Sequence, residues 1–320
     1  MKKLLLSALF ASSLSLSFAE LNVVTSFSIL EDITANIGQD KVKITSMIKR
    51  NQNPHNYEPT MSDIQSLYNA DLLIINGLNF EHWLKRATKQ SNFKGEIVTA
   101  SDGIKVIHLA EDEQHHHHHD HDDHDHDHHH HDHGDTDPHV WQNPLNGIIM
   151  ANNIAKALSE KDPENSEFYA KNLEAYQEKL HQVDQTIMHS LNDNPSQPLK
   201  GIVLHDSYRY FSERYPMMFF PVLDAHSLSE PSVKVFAGIQ TMIKDNQIPV
   251  IFSESMEQSR FVNTVVKDYH ITDGGQLISD TIMPKGEPCD SYIGLLECNL
   301  NTINQAFDKV RKAKDESGLL

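Results

Sequence analysis

The chain has 320 residues, with Lys+Arg 27 against Asp+Glu 45 and a formal net charge of -18. That length suits two domains of ~150 residues each, large enough to bury real cores without a disulfide scaffold, for which 2 cysteines are too few. The acidic balance argues against a nucleic-acid partner, because phosphate binding needs clustered Lys and Arg. Past the N-terminus there is no run of ~20 apolar residues, so a membrane-spanning chain is not expected.

Residues 1–19 read as an address. Lys2 and Lys3 precede the apolar run Leu4 to Phe10, and Ser17-Phe18-Ala19 offers small side chains for a cleavage site, the pattern of a secretory signal peptide. No cysteine lies near the cut to take a lipid, so a soluble, monomeric protein of a Gram-negative periplasm is expected.

The first lobe is expected over residues 20–163. Leu21–Phe27 is strand-like, and Ser28 caps a helix to about Ile37 that Gly38 stops. Val42–Ile48 alternates as a second strand, followed by a polar loop from Lys49 to Pro59. Ser62 caps a short helix to Ala70. Asp71–Asn76 is a continuous apolar run, suited to a parallel strand buried on both faces. Phe80 to about Ser91 reads as helix and Glu96–Ala100 as extended. Strands alternating with helices imply α/β layers.

Residues 110–137 break this pattern. They hold no aromatic residue and, beyond Ala110, no aliphatic one. Such a stretch cannot bury enough surface to offset its ordering entropy, so it should stay unfolded without metal.

After Pro144 a helix runs to about Lys161. Glu164 to about Asn192 then reads as one long helix, the link between lobes (residues 164–193). Its stripe of Tyr169, Leu173, Tyr176, Leu180, Val183, Ile187 and Leu191 recurs at helical spacing. Roughly 29 residues at ~1.5 Å each give ~43 Å, the width of a domain. A second α/β series fills residues 194–320. Its strands are Gly201–His205, Met217–Leu223, Pro249–Ser253 and Gln276–Ser279, with Asp273–Gly275 as a turn. Its helices are Ser232–Asn246, about Ser259–Tyr269 and Ser291 to about Lys312.

The chemistry gathers at strand ends. His55 follows the second strand, His139 follows the acidic stretch, and His205 closes GIVLH. In open α/β sheets, ligands bind outside the carboxyl ends of strands. Asp280 lies at a fourth strand end and could complete a tetrahedral site, with Glu58, three residues after His55, as its rival. Glu254 is placed behind the ligands, orienting a histidine N–H. Of the 22 histidines, 13 crowd into one run with six Asp: His115, His116, His117, His118, His119, His121, His124, His126, His128, His129, His130, His131 and His133. Imidazole and carboxylate both bind borderline divalent ions. With nothing to preorganise it, this run should hold several ions weakly, as an accessory.

Cys289 and Cys298 leave two alternatives open. Paired in an oxidising compartment, they would close a loop worth roughly 2.5–3 kcal/mol. If the last helix begins near Asp290, nine helical steps would hold them ~13 Å apart, beyond the ~7 Å limit for a bridge. Enzyme signatures are missing: there is no HExxH, no GxSxG and no Walker-type loop.

The segments NPHNYEPTMSD, NGLNFEHWL, DPHVWQNP, HDSYRYF, IFSES and SYIGLLECNLNTI resemble, in that order, those of the cluster A-I metal-binding receptors of ABC transporters. The His-rich insert before DPHVWQNP resembles the zinc-uptake, ZnuA-type branch. The resemblance implies two α/β lobes joined by one long rigid helix, with metal between them. It implies ligands at His55, His139, His205 and Asp280, and an inner-membrane permease with its cytoplasmic ATPase as partner. A histidine at 205 matches the zinc-type pattern, since manganese-type relatives carry glutamate there. Pro54 departs from zinc receptors that place an acid before the first histidine, and the two cysteines lie closer together than in some.

The expectation is a periplasmic Zn2+ receptor. Three imidazoles and a carboxylate suit Zn2+, while Mn2+ prefers more oxygen. The alternatives are a receptor of the same family for manganese or another divalent ion, a zinc hydrolase with an open fourth position, and a metal-buffering adhesin that uses the His-rich run alone.

Overall fold

The computed structural model describes residues 20–109, 136–192, 198–225, 233–254 and 259–317. The expected signal peptide (1–19) and the His-rich run (115–133) lie outside the described residues. The described chain resumes at Thr136, one residue before the expected end of the featureless stretch.

Two parallel sheets are built alike. In the first, β1 (Leu21–Thr25), β2 (Val42–Ser46), β3 (Leu72–Ile75) and β4 (Glu96–Thr99) lie in the order β2-β1-β3-β4. In the second, β5 (Leu199–His205), β6 (Met217–Leu223), β7 (Val250–Ser253) and β8 (Thr272–Gln276) repeat that order as β6-β5-β7-β8. The LLII run of β3 is buried throughout, as a strand covered on both faces must be. Around the first sheet pack α1 (Ser28–Gly38), α2 (Met61–Tyr68), α3 (Leu84–Gln90) and α4 (Pro144–Lys161). The second carries α6 (Arg209–Arg214), α7 (Val233–Asn246), α8 (Ser259–Tyr269) and α9 (Tyr292–Ser317).

Between them runs α5 (Ser166–Asn192), 27 residues long. Its apolar stripe is buried at Tyr169, Tyr176, Leu180, Val183, Ile187 and Leu191, while Leu173 is half-buried. The helix packs on α1 and α4 and, further along, on α9. Polar bonds fasten it to both halves. Asn172 donates to the Ile37 carbonyl at 2.9 Å. Asp184 accepts a two-pronged pair from Arg214 (2.8 and 2.6 Å) and a bond from the Tyr215 hydroxyl (2.8 Å). Among the described residues, no helix is long and apolar enough to cross a membrane.

Several local expectations are corrected. Thr60, not Ser62, caps α2: its hydroxyl takes the Asp63 N–H while the Asp63 carboxylate takes the Thr60 N–H, a capping box. Ser28 does not cap α1; its hydroxyl instead accepts the Ile282 N–H from the far half of the chain at 3.2 Å. Phe80–Trp83 is turn rather than helix, because the buried Glu81 carboxylate folds back onto the N–H groups of Asn76 (2.7 Å) and Gly77 (3.0 Å). The last strand is Thr272–Gln276, so the DGG expected to be a turn is strand and Gln276–Ser279 mostly lies beyond it. A Cβ at Gly274 would stand 2.5 Å from the Phe252 ring, and one at Gly201 2.7 Å from it; the two glycines make room for that ring.

The cysteine question also resolves. α9 begins at Tyr292, and Cys289 sits before it in the left-handed region (φ 67). The chain thereby doubles back onto the helix, and Cys289–Cys298 form a disulfide with Cα atoms 6.0 Å apart.

Candidate metal centre

Four side chains from both halves of the chain converge. One ligand atom each from His55, His139, His205 and Asp280 lies within 4.8 Å of the others. Asp280 is the hub. Its Oδ2 is 3.1 Å from His55 Nε2 and 3.2 Å from His205 Nε2, and its Oδ1 is 3.4 Å from His139 Nε2. All three imidazoles therefore aim Nε2 at one point.

The supporting structure fixes these directions. His205 ends β5, and its Nδ1 lies 2.5 Å from Glu254 Oε2. The other oxygen of Glu254 accepts the N–H groups of Leu204 and His205, both at 3.0 Å. The backbone thus positions the carboxylate that positions the ring. Behind His139, Asp137 Oδ1 takes both the His139 N–H (2.9 Å) and contact with Nδ1 (2.7 Å). Each carboxylate selects the tautomer that leaves Nε2 bare for a metal. His55 sits in the loop after β2, its N–H bonded to the Asn53 side chain at 2.9 Å. Its ring stands edge-on to Phe80, which with Phe27 and Trp141 forms an aromatic wall.

Burial sets the electrostatics. His139 and His205 are fully buried and Asp280 nearly so. Burial lowers the His55 pKa below that of an ordinary imidazole, despite the Asp280 carboxylate. At His205 burial acts in the same direction, but the facing Glu254 and Asp280 carboxylates outweigh it and hold the ring well above its usual value. Burial would raise Asp280; the His205 and His139 rings reverse this and hold it well below the usual carboxylate range. Without a cation, His139 Nε2 and Asp280 Oδ1 make no hydrogen bond. Buried polar atoms seldom go unpaired. A divalent ion at the convergence point would satisfy them, and three nitrogens with one oxygen make a tetrahedral donor set.

Glu58, the rival ligand, is not in the cluster. It is exposed and pairs with Arg86 on α3. Asp137 was not foreseen, although its signal was present in DPH: an Asp two residues before a histidine can bond that residue's N–H and reach its ring. The described residues that flank the His-rich stretch meet beside this same group. His108 bridges Thr136, and the Asp137 N–H bonds the Ile107 carbonyl at 2.9 Å.

A family model described as the periplasmic zinc-uptake complex component A matches residues 23–306. The chain is 34% identical over 296 residues to the manganese ABC transporter substrate-binding lipoprotein PsaA of Streptococcus pneumoniae, covering 91% of this chain and 90% of that one. Among solved structures it resembles an Mn-bound periplasmic metal-binding protein from Candidatus Liberibacter asiaticus, at 26% identity and a TM-score of 0.75 over 88% of this chain and 98% of that one. The periplasmic zinc-binding protein TroA of Treponema pallidum shares the fold, with a TM-score of 0.77 at 23% identity over 90% of this chain and 99% of that one.

Proposed function

The chain belongs to the ZnuA family of periplasmic zinc-uptake components, and on that premise we propose that it captures Zn2+ in the periplasm and hands it to an inner-membrane permease driven by a cytoplasmic ATPase. It is a metal-binding receptor of an ABC transporter and not an enzyme. In this reading the ion is cargo, held by His55, His139 and His205 through Nε2 and by Asp280.

One observation carries the choice of ion: three Nε2 atoms converge on a single carboxylate inside a buried site. Nitrogen-rich sites favour Zn2+ over Mn2+ in the order of divalent affinities, and Mn2+ favours oxygen. The pneumococcal relative is named for manganese, which makes manganese the second reading.

The test is competition against a chelator for each ion, on protein lacking residues 115–133 so that the central site alone is read. Zn2+ should bind at least ~100-fold more tightly than Mn2+, as the affinity order for nitrogen donors implies. His55→Ala, His139→Ala and His205→Ala should each remove the tight phase, and Asp280→Ala should cost less because water can replace one carboxylate oxygen. Equal or tighter Mn2+ binding would overturn the zinc assignment, and unchanged affinity in two of the three histidine variants would overturn the ligand set.

A further inference from the structure

Asp280 belongs by sequence to the second half of the chain, yet its neighbours on both sides are bonded to the first. Just before it, the Ser279 carbonyl accepts from Trp141 Nε1 (2.7 Å) and Gln142 Nε2 (2.8 Å). Just after it, the Asn51 N–H bonds Thr281 Oγ1 and the Ile282 carbonyl, both at 2.9 Å, and the Ile282 N–H bonds the Ser28 hydroxyl. Arg50 reaches out from the loop that carries His55. Its guanidinium donates to the carbonyls of Met283 (3.3 Å) and Asp290, and pairs with Glu31 (3.3 Å) on α1. Asp32, one residue on, accepts the Tyr292 N–H at the start of α9 at 2.9 Å. Among the described residues, the last bonds to the second half before this stretch are made at Ile278, to Asn299 on α9.

His205 is anchored differently. It ends a central strand of the second sheet and is held by Glu254 from that same sheet. Among the described residues, its surroundings are joined to the first half by Tyr210, between the Ile107 N–H (3.1 Å) and the Asp137 carbonyl (3.3 Å), and by an exposed Lys105–Glu213 pair.

We infer that Arg50 is a positioning residue that fixes the Asp280 segment to the first lobe, so that His55, His139 and Asp280 form one rigid half-site and His205 is the ligand that parts from the metal when the lobes separate. The inference rests on the ligand set proposed above. It divides the four ligands three to one, where chain order alone would divide them two to two. A buried ion that loses His205 keeps three ligands and gains an open face toward the second lobe.

Both cysteines are tied up in the disulfide, so spin labels can be directed to introduced cysteines at exposed sites. One pair is Lys89→Cys with Lys285→Cys, linking α3 to the Asp280 segment. The other is Lys89→Cys with Lys267→Cys, linking α3 to α8. Distances by pulsed electron paramagnetic resonance are compared between zinc-loaded and chelator-stripped protein. The first distance should stay constant and the second should shift. A first distance that shifts together with the second, or two distances that both stay constant, overturns the inference. Arg50→Met should broaden the first distance in stripped protein and speed zinc dissociation, and Arg50→Lys should restore part of both; no change in Arg50→Met removes Arg50 from the role. Zinc competition on His205→Ala separates the two claims, since unchanged affinity there shows the ligand set itself to be wrong.

Discussion

Two of the three imidazoles are gripped from behind by carboxylates that touch no metal, and this sets what a change there would do. Glu254→Gln keeps an oxygen for the Leu204 and His205 N–H groups but removes the charge facing Nδ1. Zinc affinity should fall roughly 10–100-fold, as for other groups that orient metal-bound histidines, with the melting temperature of metal-free protein little changed. A variant that bound zinc as tightly as the parent would deny Glu254 this role. His205 adds a proton to the chemistry. Burial would lower its pKa, but Glu254 and Asp280 outweigh this and hold it well above the usual value, which favours the imidazolium in metal-free protein. Metal must displace that proton, and affinity should weaken as pH falls and strengthen as pH rises through the His205 pKa. Zinc binding should release protons, with His205 contributing more than the lowered His55, a release read by calorimetry in buffers of different ionisation heat. Binding without proton release would contradict this account. His205 stood out in the sequence because it marks an abrupt change from apolar strand to polar loop, and His55 because it lies in the polar loop that follows a strand. Asp137 and Glu58 were harder to judge, since which carboxylate faces inward depends on the path of a loop, and loops lack the periodicity that reports a buried face.

At the scale of elements, the two glycines around Phe252 are the weak point for substitution. Gly274→Ala would put a methyl group 2.5 Å from that ring in the middle of β8. Overpacking of this kind costs about 1–3 kcal/mol, and chemical denaturation should show that loss; an unchanged midpoint would mean that the ring can move aside. The same glycines explain why β8 was hidden. Thr272-Asp273-Gly274-Gly275 carries turn chemistry, and only the bulk of a side chain on the neighbouring strand makes glycine the residue that fits a strand there. The long helix was legible for the opposite reason: α5 buries its stripe against neighbours on one side only, so its periodicity survives in the chain. The start of α9 at Tyr292 lies one residue from the Ser291 that the sequence suggests, but the disulfide turns on the left-handed backbone of Cys289, which local pattern does not reveal. The caps show a third case. Thr60 and Ser62 are both good caps in isolation, and the choice fell to the one with an acid three residues on.

For the molecule as a whole, Asp32 links folding to pH. It is buried between α1 and the start of α9, and burial raises its pKa from 3.8 to about 6, against the pull of the Tyr292 N–H and Arg50. The folded carboxyl keeps its proton up to about pH 6, whereas the unfolded chain gives it up near 3.8. Folding therefore binds a proton between these values, and its contribution to stability falls by about 3 kcal/mol as pH rises through that window. Asp32→Asn has no such proton. In metal-free protein, the melting temperature of Asp32→Asn relative to the parent should climb between pH 4 and pH 6.5; a difference that stayed flat over that range would refute the assignment. The long helix has a consequence of its own, best stated as leverage. A rod of 27 residues is ~40 Å long, and it is bolted to one lobe through Asn172 and to the other through Asp184. Such a beam resists wide swings. Yet a point ~20 Å from a pivot moves about 1 Å for a tilt of roughly 3°, half the length of a ~2.0 Å zinc–nitrogen bond. A stiff frame can thus hold a cargo ion securely and still let it go through a rotation too small to alter the outline of the protein.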